Sequence, residues 1–385
     1  MSEFRTIREL CSVVVDCPHS TPKWTANGKI VIRNNNIKHG RIDFSSPSYT
    51  DDEHFAQRIK RAKPQPGDII ITREAPIGDV GMIPENTECC LGQRMVLLRA
   101  NQSVCDNFYL LYSLQSLYVQ HQISWSEGTG TTVSNLRIPH LEQIQIPYLP
   151  LEQQAKISSV LRALEEKIEN NRRLNDNLAD LLQTIYQERF GNDILAVNQG
   201  VLSDICSYSR DKVAVSELNV ITYFSTENML SGKAGSTEAT SLPTTSQTTA
   251  CHKGDTLISN IRPYFKKIVY CEDKCGCSPD VLCFTPSQPC YSAYLFSTLY
   301  ADKFFAFMVA GSKGTKMPRG DKQQIMTYPV VLPSEEELAG FNIIASPLLE
   351  QIYSNRAENK RLSILRDTLL PKLMSGEINV SAIQL

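Results

Sequence analysis

The stretch LPLEQQAKISSVLRALEEKIENNRRLNDNLADLLQTIYQERFG, residues 149–191, decides the fold of this chain. Its apolar residues recur at heptad spacing, which predicts a long helix whose seam packs against another helix. The apolar seam residues are Ile157, Leu161, Leu164, Ile168, Leu178, Leu182 and Ile185. Two seam positions in the middle are polar, Asn171 and Asn175. A buried Asn fixes the register of a coiled coil, because a slip would leave its amide unpaired among apolar side chains.

The same pattern recurs close to the C-terminus. The equivalent seam residues there are Phe341, Leu348, Ile352, Asn355, Asn359, Leu362, Leu369 and Leu373. We predict that helix 152–188 packs antiparallel to helix 347–370 as a coiled-coil rod, with Asn171 and Asn175 near Asn359 and Asn355. Pro347 and a weaker heptad before it leave the start of the second helix open. The alternative is two separate amphipathic helices, each packed on its own domain.

The segments between these helices also repeat. Each is a series of short apolar runs separated by Gly, Pro and Asn, which is typical of strands joined by turns. Four landmarks recur in one order at nearly one offset: Pro66–Ile70 with Lys253–Leu257, Gly128-Thr129 with Gly314-Thr315, Ile146-Pro147 with Tyr328-Pro329, and Asn171 with Asn355. We therefore expect an α+β protein with a pseudo-twofold internal repeat. Its segments are β-rich domain 1–150, central long helix 151–191, β-rich domain 192–333, and a C-terminal long helix with tail, 334–385.

Composition limits the class of protein. The formal net charge of −2 argues against a chain covered with basic residues, although residues 23–63 and 253–274 are locally basic. No run approaches the roughly 20 apolar residues that cross a bilayer, so we expect a cytoplasmic protein that does not enter a membrane. The 12 cysteines are scattered among aliphatic residues, which predicts buried free thiols.

The sequence lacks the patterns that usually indicate catalysis. It contains no GxGxxG after a strand, no Walker loop, no HExxH and no GxSxG, and its six histidines show no metal-ligand spacing. We predict no catalytic residue and no metal site. An enzyme interpretation would need a zinc site at Cys271, Cys275, Cys277 and Cys283 with Asp280 nearby, but this CxxxCxC spacing lacks paired CxxC motifs.

Two stretches suit the recognition of nucleic-acid bases. Residues 32–36 and 258–264 combine Arg, which can bind guanine, with Asn, which can bind adenine. Lys38, Lys266 and Lys267 lie beside them and could contact phosphates. Asn in tight turns is the ordinary alternative for each of these positions.

The chain closely resembles a known family, the DNA-specificity subunit of type I restriction-modification systems. In the first half, the resemblance lies in IRNNNIKHGRID (32–43) and PGDIIITREAPIGDVGMIP (66–84). In the second half it lies in KGDTLISNIRPYFKKI (253–268) and GTKMPRGDKQQIMTYPVVLP (314–333). The helix phrases ALEEKIENNRRLNDNL (163–178) and NRAENKRLSILRDTLLPKLMSGEI (355–378) complete it.

The resemblance implies a non-catalytic subunit that reads a bipartite site in double-stranded DNA. Each β-rich domain would be a target-recognition domain for one half-site. Two modification subunits would bind the helical region and form an adenine methyltransferase, and restriction subunits would supply the ATP-dependent nuclease. S-adenosylmethionine, ATP and Mg would be bound by these partners, so that this chain needs no cofactor of its own. Two alternatives remain: a methyltransferase without a nuclease, and a coiled-coil scaffold for protein interactions.

The expected DNA-facing residues follow from their position beside strand-end loops in the family-like segments. They are Arg33, Asn35, Arg73, Arg94, Ser259, Asn260, Arg262, Lys266, Lys313 and Lys316.

Overall fold

The computed structural model describes residues 3–38, 40–125, 135–191 and 198–380. The chain divides into two compact units. Unit 1 comprises Met1–Ile168 and Lys360–Leu385, and unit 2 comprises Glu169–Asn359. Both boundaries fall inside long helices, so each unit contains one segment of each helix.

Unit 1 is built mainly from short strands, followed by the first segment of a long helix. Its elements in chain order are β1 (Glu3–Thr6), α1 (Ile7–Leu10), β2 (Cys11–Asp16), β3 (Lys29–Ile32), β4 (Ile37–Lys38), β5 (Arg41–Ile42), β6 (Ser48–Thr50), α2 (Asp52–Arg58), β7 (Ile69–Thr72), β8 (Val80–Met82), β9 (Cys89–Leu91), β10 (Met95–Ala100), α3 (Asn107–Gln115), α4 (Leu117–Trp125), α5 (Ile138–Gln143), β11 (Gln145–Tyr148) and the first part of α6 (Leu151–Phe190).

Unit 2 contains the rest of α6 and a second series of the same kind. Its further elements are β12 (Gln199–Val201), α7 (Leu202–Ile205), β13 (Cys206–Tyr208), β14 (Lys212–Ala214), β15 (Tyr223–Phe224), β16 (Gln247–Cys251), β17 (Thr256–Ser259), β18 (Ile268–Tyr270), β19 (Cys275–Cys277), β20 (Val281–Pro286), α8 (Ser292–Tyr300), α9 (Asp302–Ala310), α10 (Lys322–Met326), β21 (Pro329–Val331) and α11 (Glu335–Met374), the end of which belongs to unit 1.

The two units share one strand topology, which confirms the predicted internal repeat. The antiparallel sheet of unit 1 has the order β2-β10-β7-β8, and that of unit 2 has the equivalent order β13-β20-β17-β18. A second sheet in each unit contains one parallel pair, β3 with β9 and β15 with β19. The first strand of each unit pairs with its last, β1 with β11 and β12 with β21. Of the four sequence landmarks, Gly128-Thr129 lies outside the described residues.

The central strands read as continuous apolar runs because both of their faces are buried. In β7, Ile69 and Ile71 pack into one core of unit 1, whereas Ile70 packs into the other. In unit 2, Ile258 and Leu257 of β17 divide in the same way. Alternating side chains point to opposite faces of a strand, so a strand between two cores must be apolar throughout.

A repeated Gly-Asp turn precedes each of these strands. The Asp is buried in both units and accepts a backbone N–H three residues earlier, Asp68 from Gln65 and Asp255 from His252, each at 2.8 Å. The preceding residue has φ of +85° in unit 1 and +91° in unit 2, which favours glycine. The repeated motif is therefore explained by the turn that starts the central strand.

In unit 2, the polar seam residues of the two helices bind each other. Asn355 donates through Nδ2 to Oδ1 of Asn175 at 2.8 Å, and Asn171 donates to Oδ1 of Asn359 at 2.9 Å. Asn171 Nδ2 also lies 2.7 Å from Oε2 of Glu358. Asn171 pairs with the later residue Asn359, and Asn175 pairs with the earlier residue Asn355. The two helical segments therefore run antiparallel. The predicted contacts are thus present as hydrogen bonds, and their role in fixing the register stays a prediction.

In unit 1, Arg366 of α11 and Glu165 of α6 form a charged pair between the two long helices. Arg366 Nη1 lies 3.7 Å from a carboxylate oxygen of Glu165, and the Tyr112 hydroxyl donates to Glu165 at 3.1 Å. Arg41 donates to the Glu165 backbone carbonyl at 3.1 Å. Burial raises the pKa of Glu165, and the two arginines oppose this effect. Arg366, at the heptad position between Leu362 and Leu369, therefore faces a largely buried carboxyl group instead of an apolar side chain.

The second long helix begins earlier than the predicted start at Pro347. It starts at Glu335 and continues through Pro347. Ser334 and Glu337 form a reciprocal cap: the Ser334 N–H donates to Glu337 at 2.9 Å, and the Glu337 N–H donates to Ser334 Oγ at 3.3 Å. Ser followed three residues later by Glu is a capping signal that the heptad analysis did not use. The four-segment assignment of functional domains stays a prediction.

The paired asparagines predict a non-additive effect on stability. Asn355→Leu leaves the buried amide of Asn175 without its hydrogen-bond partner, so we expect the free energy of unfolding to fall by about 1–3 kcal/mol. Adding Asn175→Leu should restore most of this loss, because two apolar side chains then face each other in the seam. Urea unfolding followed by circular dichroism measures both effects. Asn177→Leu, an exposed position on α6, is the control, and equal additive losses from both asparagines would contradict the pairing.

Candidate nucleic-acid interface

Three loop segments of unit 1 meet at the end of its sheets. Asn34 donates through Nδ2 to the backbone carbonyl of Glu74 at 2.6 Å. Arg94 Nε lies 3.3 Å from the Glu74 carboxylate, and its backbone carbonyl accepts the Arg73 N–H at 2.8 Å. The structure therefore brings together the segments that contain all four predicted recognition residues of this half.

The exposed side chains on these segments can contact a ligand. Arg33 and Asn35 are exposed, and so is Arg94. The Arg33 guanidinium lies 5.2 Å from the ring centroid of Trp24, a residue that the sequence analysis did not select. Trp24 is 46% exposed, which is unusual for so large an apolar group. We call Trp24, Arg33, Asn35 and Arg94 the unit 1 surface. The side chain of Lys38 lies outside the described residues.

Arg73 does not belong to this surface, and its assignment as a DNA contact is corrected. Only 12% of its side chain is exposed. Its guanidinium forms an ion pair with Asp16 at 2.8 Å and donates to the Leu136 carbonyl at 2.9 Å and to Asn135 at 3.2 Å. All three groups belong to unit 1 and occupy the donors that would read a base. Arg73 therefore holds its loop in place.

In unit 2, a second pair of loops is joined through the backbone. The Arg262 N–H donates to the Pro318 carbonyl at 2.8 Å. Arg319 pairs by backbone bridges with both Ile261 and Lys313. The segments 260–267 and 311–322 therefore form one surface, and five predicted residues lie on these segments: Asn260, Arg262, Lys266, Lys313 and Lys316.

Two predicted contacts in unit 2 are buried and are corrected. Ser259 is the last residue of β17, and its hydroxyl donates to the Ile261 carbonyl at 3.2 Å. Asn260 is also buried, and a Cβ at the position of Gly320 would lie 2.9 Å from its Oδ1 atom. Both side chains point into the protein and cannot contact DNA directly in this conformation. Sequence position at a strand end did not reveal the direction of these side chains.

Two accessible lysines of unit 2, Lys266 and Lys313, form ion pairs with nearby carboxylates. Lys266 lies 3.0 Å from Asp302, which also binds Lys233 at 2.6 Å. Hydrogen bonds from these two lysines lower the pKa of Asp302. Lys313 lies 2.5 Å from Asp321 and lowers the pKa of that carboxyl group in the same way. Such exposed pairs contribute little to stability, so these lysines can exchange partners when a polyanion binds.

Arg262 combines a strained backbone with a guanidinium nitrogen that no described residue binds. Its backbone is left-handed, with φ of +50°, and Pro263 follows it. Its Nε atom is buried and has no hydrogen-bond partner among the described residues. Lys316 is exposed on the adjoining loop. Arg262, Lys266, Lys313 and Lys316, together with the exposed residues Tyr264 and Phe265, form what we call the unit 2 surface.

The cysteines that the zinc alternative requires lie in an apolar core. All four are buried in one cluster together with Cys251. Cys275 Sγ lies 3.5 Å from Cys271 Sγ, and Cys283 Sγ lies 3.3 Å from an Asp255 carboxylate oxygen. Contacts with the neighbouring thiols raise the pKa of Cys251. Asp280, the proposed neighbour, instead pairs with Arg319 at 3.1 Å.

The described residues, 3–38, 40–125, 135–191 and 198–380, lack two further features. Within them, no group of three or more His, Cys, Asp and Glu side chains is arranged to hold a metal ion. Within them too, every helix is too short or too polar to cross a bilayer.

The chain is similar to known proteins in sequence and in fold. The family model Methylase_S, the type I restriction modification DNA specificity domain, matches residues 3–179. Over 358 residues the chain is 23% identical to the type I restriction enzyme MjaIX specificity subunit of Methanocaldococcus jannaschii, a match that covers 82% of this chain and 78% of that protein.

Two further similarities agree with this result. A second Methanocaldococcus jannaschii protein, whose name assigns it to the MjaX type I restriction enzyme as a specificity subunit, is 32% identical over 111 residues. This match spans 29% of the chain and only 25% of that relative. The crystal structure of the Type-I restriction-modification system S subunit from M. genitalium has the same fold, with a TM-score of 0.59 at 19% identity, covering 97% of this chain and 96% of that one.

The molecule is therefore a protein of two repeated β-rich units, each with a segment of two long helices and an exposed surface of basic loops. Residues 3–179 match the type I restriction modification DNA specificity domain, and most of the chain is similar in sequence to a type I specificity subunit.

The different environments of two arginines predict different effects of their removal. Arg73→Ala leaves the nearly buried Asp16 carboxylate with only the exposed His19 beside it, at 3.0 Å, so we expect the free energy of unfolding to fall by about 3 kcal/mol. Arg33→Ala removes an exposed side chain and should change it by no more than about 0.5 kcal/mol. Urea unfolding of the full chain measures both. A small effect of Arg73→Ala would show that its guanidinium is free for another role.

Proposed function

We propose that this chain is the sequence-reading subunit of a type I restriction-modification complex, and that it binds a bipartite site in double-stranded DNA. The observation that carries the proposal is that each of two units with one strand topology presents exposed basic side chains on its loops. A protein with two such units can contact two short sequences, and each unit can differ in the bases it reads. The chain would supply recognition and no catalytic group.

The chemistry of the two surfaces supports DNA as the ligand. Guanidinium groups bind guanine through two hydrogen bonds, and amide groups bind adenine in the same manner. Arg33 with Asn35 in unit 1 and Arg262 in unit 2 offer these groups at exposed or partly exposed positions. Lys313 and Lys316 can contact phosphates, which position the protein on the duplex without selecting a sequence.

The long helices would set the distance between the two contacts. The boundary between the units falls within α6 and within α11. Because an α-helix rises about 1.5 Å per residue, a fixed number of helical residues between the units corresponds to a fixed length. We propose that this length determines the gap between the half-sites.

Partner subunits would carry the chemistry. We propose that two modification subunits bind the helical region, that they hold S-adenosylmethionine for adenine methylation, and that restriction subunits use ATP and Mg. Exposed aliphatic side chains on the helices support such a contact: Leu174 and Leu181 in unit 2, and Ile364 and Leu365 in unit 1. Apolar side chains exposed together on a helix are typical of a surface that another protein covers.

Methylation of a genome tests the proposal. The chain is expressed with its modification subunits in a host that lacks adenine methylation, and methylated adenines are mapped by sequencing. We expect one bipartite motif with two defined half-sites. Arg262→Lys keeps the charge but loses two-pronged binding of guanine, so it should relax one position of one half-site, at a cost of about 1–3 kcal/mol in recognition.

Lys316→Ala is the matched control on the same surface. It should weaken methylation of all sites alike and reduce the salt dependence of binding, because a phosphate contact carries no sequence information. A single continuous motif, or methylation without sequence preference, would contradict the proposed function.

A further inference from the structure

The unit 2 surface carries two aromatic rings that folding does not explain. Tyr264 is 50% exposed and Phe265 is 38% exposed, and their ring centroids lie 4.7 Å apart. Tyr and Phe stabilise a fold mainly when they are buried. Two adjacent exposed rings on basic loops therefore indicate a binding surface for a ligand with flat, apolar faces.

The turn that carries the rings is firmly held by its backbone. Pro263–Phe265 forms one short 3-10 turn, with the left-handed residues Arg262 and Lys266 on either side. The Phe265 N–H donates to the Arg262 carbonyl at 2.9 Å, and the Lys266 N–H donates to the Pro263 carbonyl at 2.9 Å. A neighbouring segment adds two bonds, from Gly232 to Phe265 at 2.8 Å and from Lys233 to Lys266 at 2.9 Å. The rings are thus presented on a fixed support, which reduces the entropy lost on binding.

The charge around the rings favours a polyanion over an apolar protein surface. Residues 260–267 and 311–322 together contain seven Lys and Arg residues and one acidic residue. Lys266 and Lys267 directly follow the two rings in sequence. A phosphate backbone on both sides of a base step matches this arrangement of cations flanking aromatic rings.

We propose that Tyr264 and Phe265 insert against the bases at one half-site and partly unstack one base step of the bound duplex. The inference rests on the proposed function, because it requires that unit 2 binds DNA. Apolar side chains that enter a base step offset the cost of unstacking by the contacts that the deformed duplex gains. The deformation adds sequence preference at the step that unstacks most easily, even where no hydrogen bond reads the base.

Unit 1 has no such pair of exposed rings at the equivalent position. The offset between the Gly-Asp turns aligns Ile77 and Gly78 with Tyr264 and Phe265. Ile77 is half-buried and packs against the core of unit 1, and Gly78 is buried. The exposed ring of the unit 1 surface, Trp24, lies against the Arg33 guanidinium instead of beside a second ring. We therefore expect the unstacking at the half-site of unit 2, and the other half-site serves as the comparison.

Fluorescence of 2-aminopurine tests the inference, because this adenine analogue is quenched when stacked in a duplex and brightens when unstacked. The full chain, assembled with its modification subunits, is mixed with duplexes that contain the methylation motif. The analogue replaces, one position at a time, the bases of both half-sites other than the methylated adenines, because a methyltransferase flips its target base out of the stack and would brighten the analogue there in either half-site. We expect a severalfold rise in fluorescence at one step of the half-site that Arg262→Lys relaxes, and no rise in the other half-site.

Variants identify the side chains responsible. Tyr264→Ala/Phe265→Ala should abolish the rise and weaken specific binding about 5- to 100-fold, as expected for lost stacking on one or two bases. Ile221→Ala removes an apolar side chain of unit 2 that is 52% exposed and lies outside the unit 2 surface, and it should change neither signal. Lys316→Ala should weaken binding but keep the rise.

Each remaining result would overturn the inference. Specific binding without a rise at any position would show that the rings do not unstack the duplex. An equal rise in both half-sites would remove the link to unit 2. Failure of the double variant to assemble with the modification subunits, with normal DNA binding, would place the rings in a protein interface. If the wild-type complex shows no specific binding, the proposed function fails first, which is a distinct outcome.

Discussion

We expect the arrangement of the long helices to depend on the hydrogen bonds between facing asparagines. Apolar seams tolerate a shift by one heptad, because similar aliphatic side chains then meet again. The facing asparagines do not tolerate such a shift, since it would leave the buried amides of Asn171, Asn175 and Asn355 without their partners. Because α6 and α11 both contribute to each unit, this register must be compatible with the packing of both. In unit 1, the buried contact of Glu165 with Arg366 adds a second polar restriction.

The β-rich parts combine a rigid scaffold with exposed loops. Central strands such as β7 and β17 lie between two cores, so their main chains have little freedom. The loops at their ends are fixed by backbone hydrogen bonds, while side chains such as Arg33 and Tyr264 stay exposed. Binding residues on loops that a rigid scaffold positions can change without loss of the fold. This separation allows one fold to occur twice in a chain with two different sets of exposed side chains.

The sequence predicts the fold well, because periodicity and repetition are physical signals. Heptad spacing identifies both helices, and the Gly-Asp turn recurs because each central strand needs the same positive φ before it. The start of α11 was predicted too late because the heptad weakens before Pro347, although the cap formed by Ser334 and Glu337 is visible in the sequence.

The candidate site is harder to predict from the sequence. Arg73, Ser259 and Asn260 stand beside strand ends, as a recognition residue would, but their polar groups are buried against the protein. Residue type alone does not reveal which arginine finds an internal partner such as Asp16. The converse error concerns Trp24, Tyr264 and Phe265, which resemble core residues in a sequence. Only the structure shows that they are exposed beside basic side chains.

In the proposed function, the paired helices determine the distance between the two recognition units. The most direct test of this is the insertion of four helix-forming residues into each helix at facing positions, after Glu169 in α6 and after Lys360 in α11. Coiled coils absorb insertions of four residues by a local change in winding. Four residues add about 6 Å, so the gap in the methylated motif should lengthen by up to about two base pairs at 3.4 Å each, with both half-sites unchanged. Methylation that persists with an unchanged gap, or with altered half-sites, would contradict the account.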